Sequence, residues 1–259
     1  CSPRPPPASK PRRAETAMSG QNYYLLTALP GLGELGSDPP LTPRAMLEML
    51  EPSPRAQQLA SVIFLSDDLL LRQAVMSGEI PAAQVEPVVL SGEQVRDEAS
   101  LPVFLSGEAE TEGQGESGGA HLGVDRVWAL YFEHAARLAR GSEMLSDWVR
   151  YEVGLRNALA GARAKALGLD AARYLVAPQL GLGEEEYAAV LGEWSAAANP
   201  LAGLQVLDAA RWNFIAEHSR HFTFSDDELV AYASWLVILH RWKRIAAAQQ
   251  AQAQSPGQG

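Results

Sequence analysis

The sequence predicts a mainly α-helical fold, a C-terminal helical bundle with a smaller N-terminal lobe, and three observations carry that reading. Apolar side chains recur three or four residues apart over long stretches of the second half, the spacing that lines one face of a helix. Ser, Thr, Pro and Gly stand at the ends of those stretches, where helices are capped and stopped. All six Trp residues, Trp128, Trp148, Trp194, Trp212, Trp235 and Trp242, fall inside them.

Taken in order, Cys1 to Ala17 is rich in Pro and Arg. It reads as an overlong, disordered extension ahead of Met18-Ser19-Gly20, rather than as a lipoprotein stem anchored through Cys1. Residues 18–107 are expected to form the N-terminal helical lobe. Within it, Tyr23 to Leu29 is a short apolar run closed by Pro30, and the spacing suggests extended chain or a brief strand. Gly31 to Pro40 is loop. Thr42-Pro43 supplies an N-cap and a proline for the first helical position, so Ala45 to Glu51 should be a short helix. Gln57 to Met76 carries Leu59, Ile63, Leu65, Leu69 and Leu70 at helical spacing, with Asp67-Asp68 as a candidate break. Pro81, Pro87 and Pro102 then forbid any long helix up to Leu105.

Residues 108–119 have no apolar period and carry Glu108, Glu110, Glu112 and Glu116, a flexible acidic linker and the main expected boundary. The C-terminal bundle is expected over 120–248. Val124 to Arg140 places Val127, Leu130, Tyr131, His134 and Leu138 on one face. Ser142 to Leu167 is the clearest helix: Leu145, Trp148, Glu152, Leu155, Leu159 and Ala162 share a face, Ser142 caps the start and Gly168 the end. Glu184 to Ala197 is a further helix stopped by Pro200. Leu201 to His221 follows, with Leu204, Leu207, Ala210, Arg211 and Phe214 in phase. Ser225 and Glu228 have the spacing of a capping box for the last helix, which should run to about Ala248 before a disordered tail over 249–259.

The formal charge is −10, unevenly placed. Arg4, Lys10, Arg12 and Arg13 against Glu15 give the first 17 residues +3, which leaves −13 for the rest. Phosphate backbones and bare anionic lipid would repel such a chain, so a basic protein surface is the better-matched partner and a nucleic acid is not expected. Val124 to Tyr174 departs from the background at +2, with eight Lys or Arg against six acids. Glu152 and Arg156 are expected to pair there at i, i+4. The one thiol, Cys1, allows no internal disulfide or cysteine metal site. The longest strongly apolar run, Leu229 to Leu239, falls far short of the roughly 20 residues of a spanning helix, so a soluble protein is expected.

Chemical motifs are weak. Gly31, Gly33 and Gly36 match the dinucleotide-binding glycine pattern, but Asp38-Pro39-Pro40 follows where a helix should open, and the stretch reads as loop. His218 and His221, near Glu217, are spaced i, i+3 without an evident further ligand, so no metal and no cofactor are expected. No nucleophile elbow, P-loop or His-Glu zinc motif occurs. The Trp set reads as core and helix-seam anchors rather than a ligand cage, with Arg211 expected on Trp212 and Arg241 on Trp242.

Four stretches bear a resemblance. They are Trp148 to Gly168 (WVRYEVGLRNALAGARAKALG), Tyr23-Tyr24-Leu25-Leu26 with Leu29-Pro30-Gly31-Leu32, Ala209-Ala210-Arg211-Trp212-Asn213-Phe214, and Glu228 to Trp242 (ELVAYASWLVILHRW). Together they resemble an uncharacterised bacterial family encoded beside V/A-type rotary ATPase genes. That family looks like a distant relative of the helical socket protein of the V-type ATPase central stalk. The resemblance implies a helical bundle like that socket, without catalytic activity, cytoplasmic and peripheral to the inner membrane. Its partners would be protein subunits of the rotor ring or central shaft. Arg150, Glu152, Arg156, Asn157 and Arg163 are the interface candidates. A free-standing helical scaffold or assembly factor is the alternative, and a metal-dependent helical enzyme built on His218 and His221 is a third class.

Overall fold

Capping and proline residues decide where most helices begin. The computed structural model describes residues 22–106, 120–219 and 223–254, and among these no strand occurs. A short helix α1 covers residues 22–28. Thr42 accepts the Ala45 amide at 3.1 Å and opens α2, Pro43–Met49. Pro54 stands at the first position of α3, Pro54–Met76. Two single-turn helices, α4 (Gly92–Val95, closed by a Ser91/Gln94 capping box) and α5 (Val103–Ser106), occupy the proline-punctuated stretch. The second half contains α6 (Ala120–Leu138), α7 (Glu143–Leu167), α8 (Ala188–Ser195), α9 (Pro200–His218) and α10 (Asp226–Gln254). Ser142 caps α7 through the Leu145 amide and Gly168 ends it at φ 66, as the sequence predicts.

Several local expectations are corrected. The 23–29 run is helical, not extended. Leu25, Leu26 and Leu29 pack against the core from it, Tyr23 meets Phe224 with ring centroids 5.0 Å apart, and Asn22 donates to Asp226 at 2.9 Å. These contacts override the strand propensity of the two tyrosines. Asp67-Asp68 does not break α3, because both carboxylates find partners outside the helix. Asp68 accepts the backbone amides of Val88, Val89 and Leu90 at 2.6–3.1 Å, and Asp67 accepts from Arg244 at 2.7 Å. Glu184 to Tyr187 is a 3₁₀ turn leading into α8. Pro200 starts α9 rather than only stopping α8, with Asn199 as its cap. Glu228 reaches back to the Phe224 amide at 2.6 Å, while the Ser225 hydroxyl lies 2.9 Å from that of Thr223. The last helix continues to Gln254, since its Ala and Gln residues are good helix formers. The acidic linker over 108–119, the N-terminal extension and His221 lie outside the described residues.

The helices share one continuous apolar cluster, from Met46 and Leu50 of the α2 segment, through Leu59, Ile63 and Phe64 of α3, to Leu229, Leu236 and Ile238 of α10. α3 and α10 form the most extensive helix pair, and α6, α7 and α9 complete the layer around them. Arg55, in the first turn of α3, donates to the carbonyls of Leu138 (2.6 Å) and Arg140 (2.8 Å), which satisfies the open C-terminal end of α6. Trp128 and Trp148 are buried; Trp194, Trp212, Trp235 and Trp242 are part-buried against the same core, as seam anchors. No helix among the described residues is long and apolar enough to cross a membrane.

Candidate functional site

Stripes on α7, α9 and α10 face one another across a cleft of about 810 Å³ that α3 and α6 close. α7 contributes Glu152, Arg156, Leu159, Arg163 and Leu167, three or four residues apart and hence on one face. α10 contributes Ser234, Val237, Ile238, Arg241, Arg244 and Ala248 by the same rule, and α9 contributes Leu204, Leu207 and Arg211. The walls are mostly apolar, with Leu70 and Leu71 from α3 and Trp128, Tyr131 and Phe132 from α6.

Charge in the cleft is organised around one carboxylate. Asp208, fully buried, accepts Arg211 at 3.0 Å, Arg241 at 2.8 Å and the Trp242 indole N–H at 3.1 Å. Arg211 turns the rest of its fork to Glu152, donating to the two oxygens at 2.6 and 3.1 Å. This planar two-bond geometry is the strong form of an arginine–carboxylate pair. Burial alone would lower the Arg211 guanidinium, but Glu152 and Asp208 outweigh it and hold it well above its ordinary value. The network ties α7, α9 and α10 together at the cleft wall.

Arg156 and Arg163 are held differently. The Arg156 guanidinium lies 4.4 Å from the Trp128 ring centroid and reaches Asp125 only at 3.9 Å. Burial pushes it below its ordinary value, with Asp125 and Glu152 opposing. Arg163 sits 5.3 Å over Trp194. Stacking leaves the N–H edges of a guanidinium available to an acceptor. At the mouth, Leu70, Leu167, Leu169 and Tyr174 line the cleft and remain exposed, Leu167 to 72%. Burial holds the Tyr131 phenol protonated well beyond neutral pH, and its hydroxyl donates to the Val62 carbonyl at 3.1 Å.

The five interface candidates divide. Glu152, Arg156 and Arg163 line the cleft. Arg150 is exposed elsewhere. Asn157 braces the chain after α7: its side chain accepts the Val176 amide at 2.8 Å and donates to the Val176 carbonyl at 2.9 Å. The next residue, Ala177, has the left-handed φ of 43. The expected Glu152–Arg156 pair gives way to the Glu152–Arg211 fork, and the expected Arg211–Trp212 and Arg241–Trp242 stacks give way to bonds with Asp208. Sequence reasoning missed Asp208, Arg241 and Arg244. A signal existed for the first: Asp208 falls in phase with Leu204, Leu207 and Arg211 on the apolar stripe of α9, where a charge demands a buried partner.

Among the described residues no three His, Cys, Asp or Glu side chains converge as metal ligands; His218 bonds the Phe214 carbonyl at 2.9 Å and stacks on the Phe214 ring. The Gly31–Gly36 stretch is loop, with no helix before Pro43.

Fold and site thus define a mainly helical protein with an arginine-bearing, apolar-walled cleft between its helices. Residues 100–252, more than half of the chain, match the family described as a protein of unknown function (DUF2764), and the chain belongs to that family. The matched region carries α6 to α10, so four of the five cleft helices lie within it and α3 closes the cleft from outside. No curated protein and no solved structure matches the chain.

Proposed function

We propose that this chain is a non-catalytic helical component associated with a bacterial V/A-type rotary ATPase, where it couples or stabilises the central stalk on the membrane rotor. In this reading it is cytoplasmic, peripheral to the inner membrane, and held there by rotor-ring or shaft subunits. One coincidence supports the reading. Three of the four stretches that resemble the ATPase-associated family lie on α7, α9 and α10, and those helices present the cleft. Arginine and aromatic side chains in a part-buried, apolar setting are the groups that dominate protein–protein binding energy.

The test is recovery of the tagged full chain from native cells, with bound proteins identified by mass spectrometry. Rotary ATPase subunits in stoichiometric yield are the expected result. Recovery of the protein alone, with those subunits present in the lysate, would sink the stable-component reading. Substoichiometric recovery confined to partly assembled complexes would move the function to the assembly factor.

A further inference from the structure

We infer that the cleft receives an amphipathic helix of a partner protein, one with an apolar face and two carboxylates two turns apart, held by Arg156 and Arg163. The inference rests on reading the cleft as a docking surface, whichever complex supplies the partner.

The arginines do not stand alike. Arg211 and Arg241 are committed to Glu152 and Asp208 at 2.6–3.1 Å, and Arg244 to Asp67 at 2.7 Å. Arg156 has Asp125 only at 3.9 Å and Arg163 rests on an indole, so both have hydrogen-bonding capacity for an incoming carboxylate. A cation in a half-buried, apolar-walled site has given up hydration that an acceptor would replace.

The mouth decides the kind of ligand. A small anion seated on the floor would leave Leu167 (72% exposed), Leu169 (47%) and Tyr174 (41%) in water. An occupant that covers the mouth as well as the floor must be extended and apolar along its length. Arg156 and Arg163 are seven residues apart on α7, about 10.5 Å at 1.5 Å per residue. A partner helix lying along α7 meets both if its acids are also seven apart, and leucines at the intervening positions then face Leu159 and Ala160.

The experiment uses the full chain and a fluorescently labelled 18-residue helical peptide. The peptide bears Glu at two positions seven apart and Leu at three- and four-residue spacing between them; a control peptide has Lys at those two positions. Saturable one-to-one binding of the Glu peptide is expected by anisotropy, with the Lys peptide at least ten-fold weaker. Arg156→Gln and Arg163→Gln should each weaken binding about ten-fold, and Arg150→Gln should leave it unchanged. Arg163 is exposed, so its variant keeps the test decisive if the Arg156 variant folds poorly by circular dichroism. Equal binding of both peptides, no saturation, or equal loss in the Arg150 variant would overturn the inference. So would saturable binding of dodecanoate, a small amphipathic acid, without binding of the Glu peptide. The native recovery separates this inference from the stalk reading. ATPase subunits retained by the Arg156→Gln/Arg163→Gln double variant would sink the cleft inference alone. Peptide binding without ATPase recovery would sink the stalk alone.

Discussion

Asp208 is a charge with no exposure, and its three donors, Arg211, Arg241 and Trp242, come from two helices. Removing it leaves two guanidiniums facing an apolar wall, a case in which breaking a buried pair costs about 3–5 kcal/mol. Asp208→Ala should therefore lower unfolding stability by about that amount in urea titrations. A loss below about 1 kcal/mol, the median value of an exposed ion pair, would show that water replaces the network. At this scale the sequence was half legible. The apolar phase of α9 marks Asp208 and Arg211 as inward-facing, but Glu152 is 59 residues from Arg211 and no local rule pairs them. The local rule at i, i+4 pointed Glu152 to Arg156. The Arg211 fork wins because it satisfies both oxygens at once, and that frees Arg156 for Trp128.

Elements show the same balance between local preference and tertiary contact. The cap residues of α2 and α7 read correctly because their bonds close within three residues. The 22–28 helix read wrongly because its reasons, Asp226 and Phe224, lie some 200 residues on. Gly154 shows a close approach that spacing alone does not reveal. A methyl group there would stand 2.7 Å from Cε2 and Cζ of Tyr187, whose hydroxyl donates to the Tyr151 carbonyl at 3.0 Å. Gly154→Ala should thus destabilise by about 1–3 kcal/mol through overpacking, although alanine is the better helix former by about 1 kcal/mol. The midpoint of thermal unfolding reads the outcome, and a rise would mean that Tyr187 swings aside freely. His240, on α10, has its Nε2 2.8 Å from the Leu41 carbonyl. Burial lowers its affinity for a proton, the Leu41 carbonyl and Asp67 oppose this, and Arg244 and Lys243 add to it. His134 is shifted the same way by burial and Arg137. Above about pH 6.5 both rings are neutral folded and unfolded; below it the unfolded chain takes up protons first, so stability falls as pH falls toward the folded values. The urea midpoint should drop between pH 8 and pH 5.5, and His240→Gln should shrink that drop. An unchanged drop in the variant would assign it elsewhere.

For the whole molecule, the question is whether the N-terminal helices and the C-terminal bundle unfold together. The sequence suggested a boundary at the acidic linker, because residues 108–119 lack any apolar period. What it did not reveal is how many bonds cross from one side to the other. Arg55 of α3 caps α6, Tyr131 of α6 bonds the Val62 carbonyl, Tyr232 of α10 bonds the Pro30 carbonyl at 2.8 Å, and Arg244 pairs with Asp67. The apolar cluster runs through α3 and α10 without a seam. A chain joined this way has no interface weak enough to open first, since the α3–α10 contact is core rather than domain surface. Unfolding should then be one cooperative transition. The Trp distribution makes the test clean, because all six indoles lie between Trp128 and Trp242 and report only on the second half. Circular dichroism at 222 nm follows α1 to α5 as well. Coincident urea curves by fluorescence and circular dichroism are expected. A dichroism change that precedes the fluorescence change would mean that the N-terminal helices leave first, and that α3 closes the cleft as a separable part.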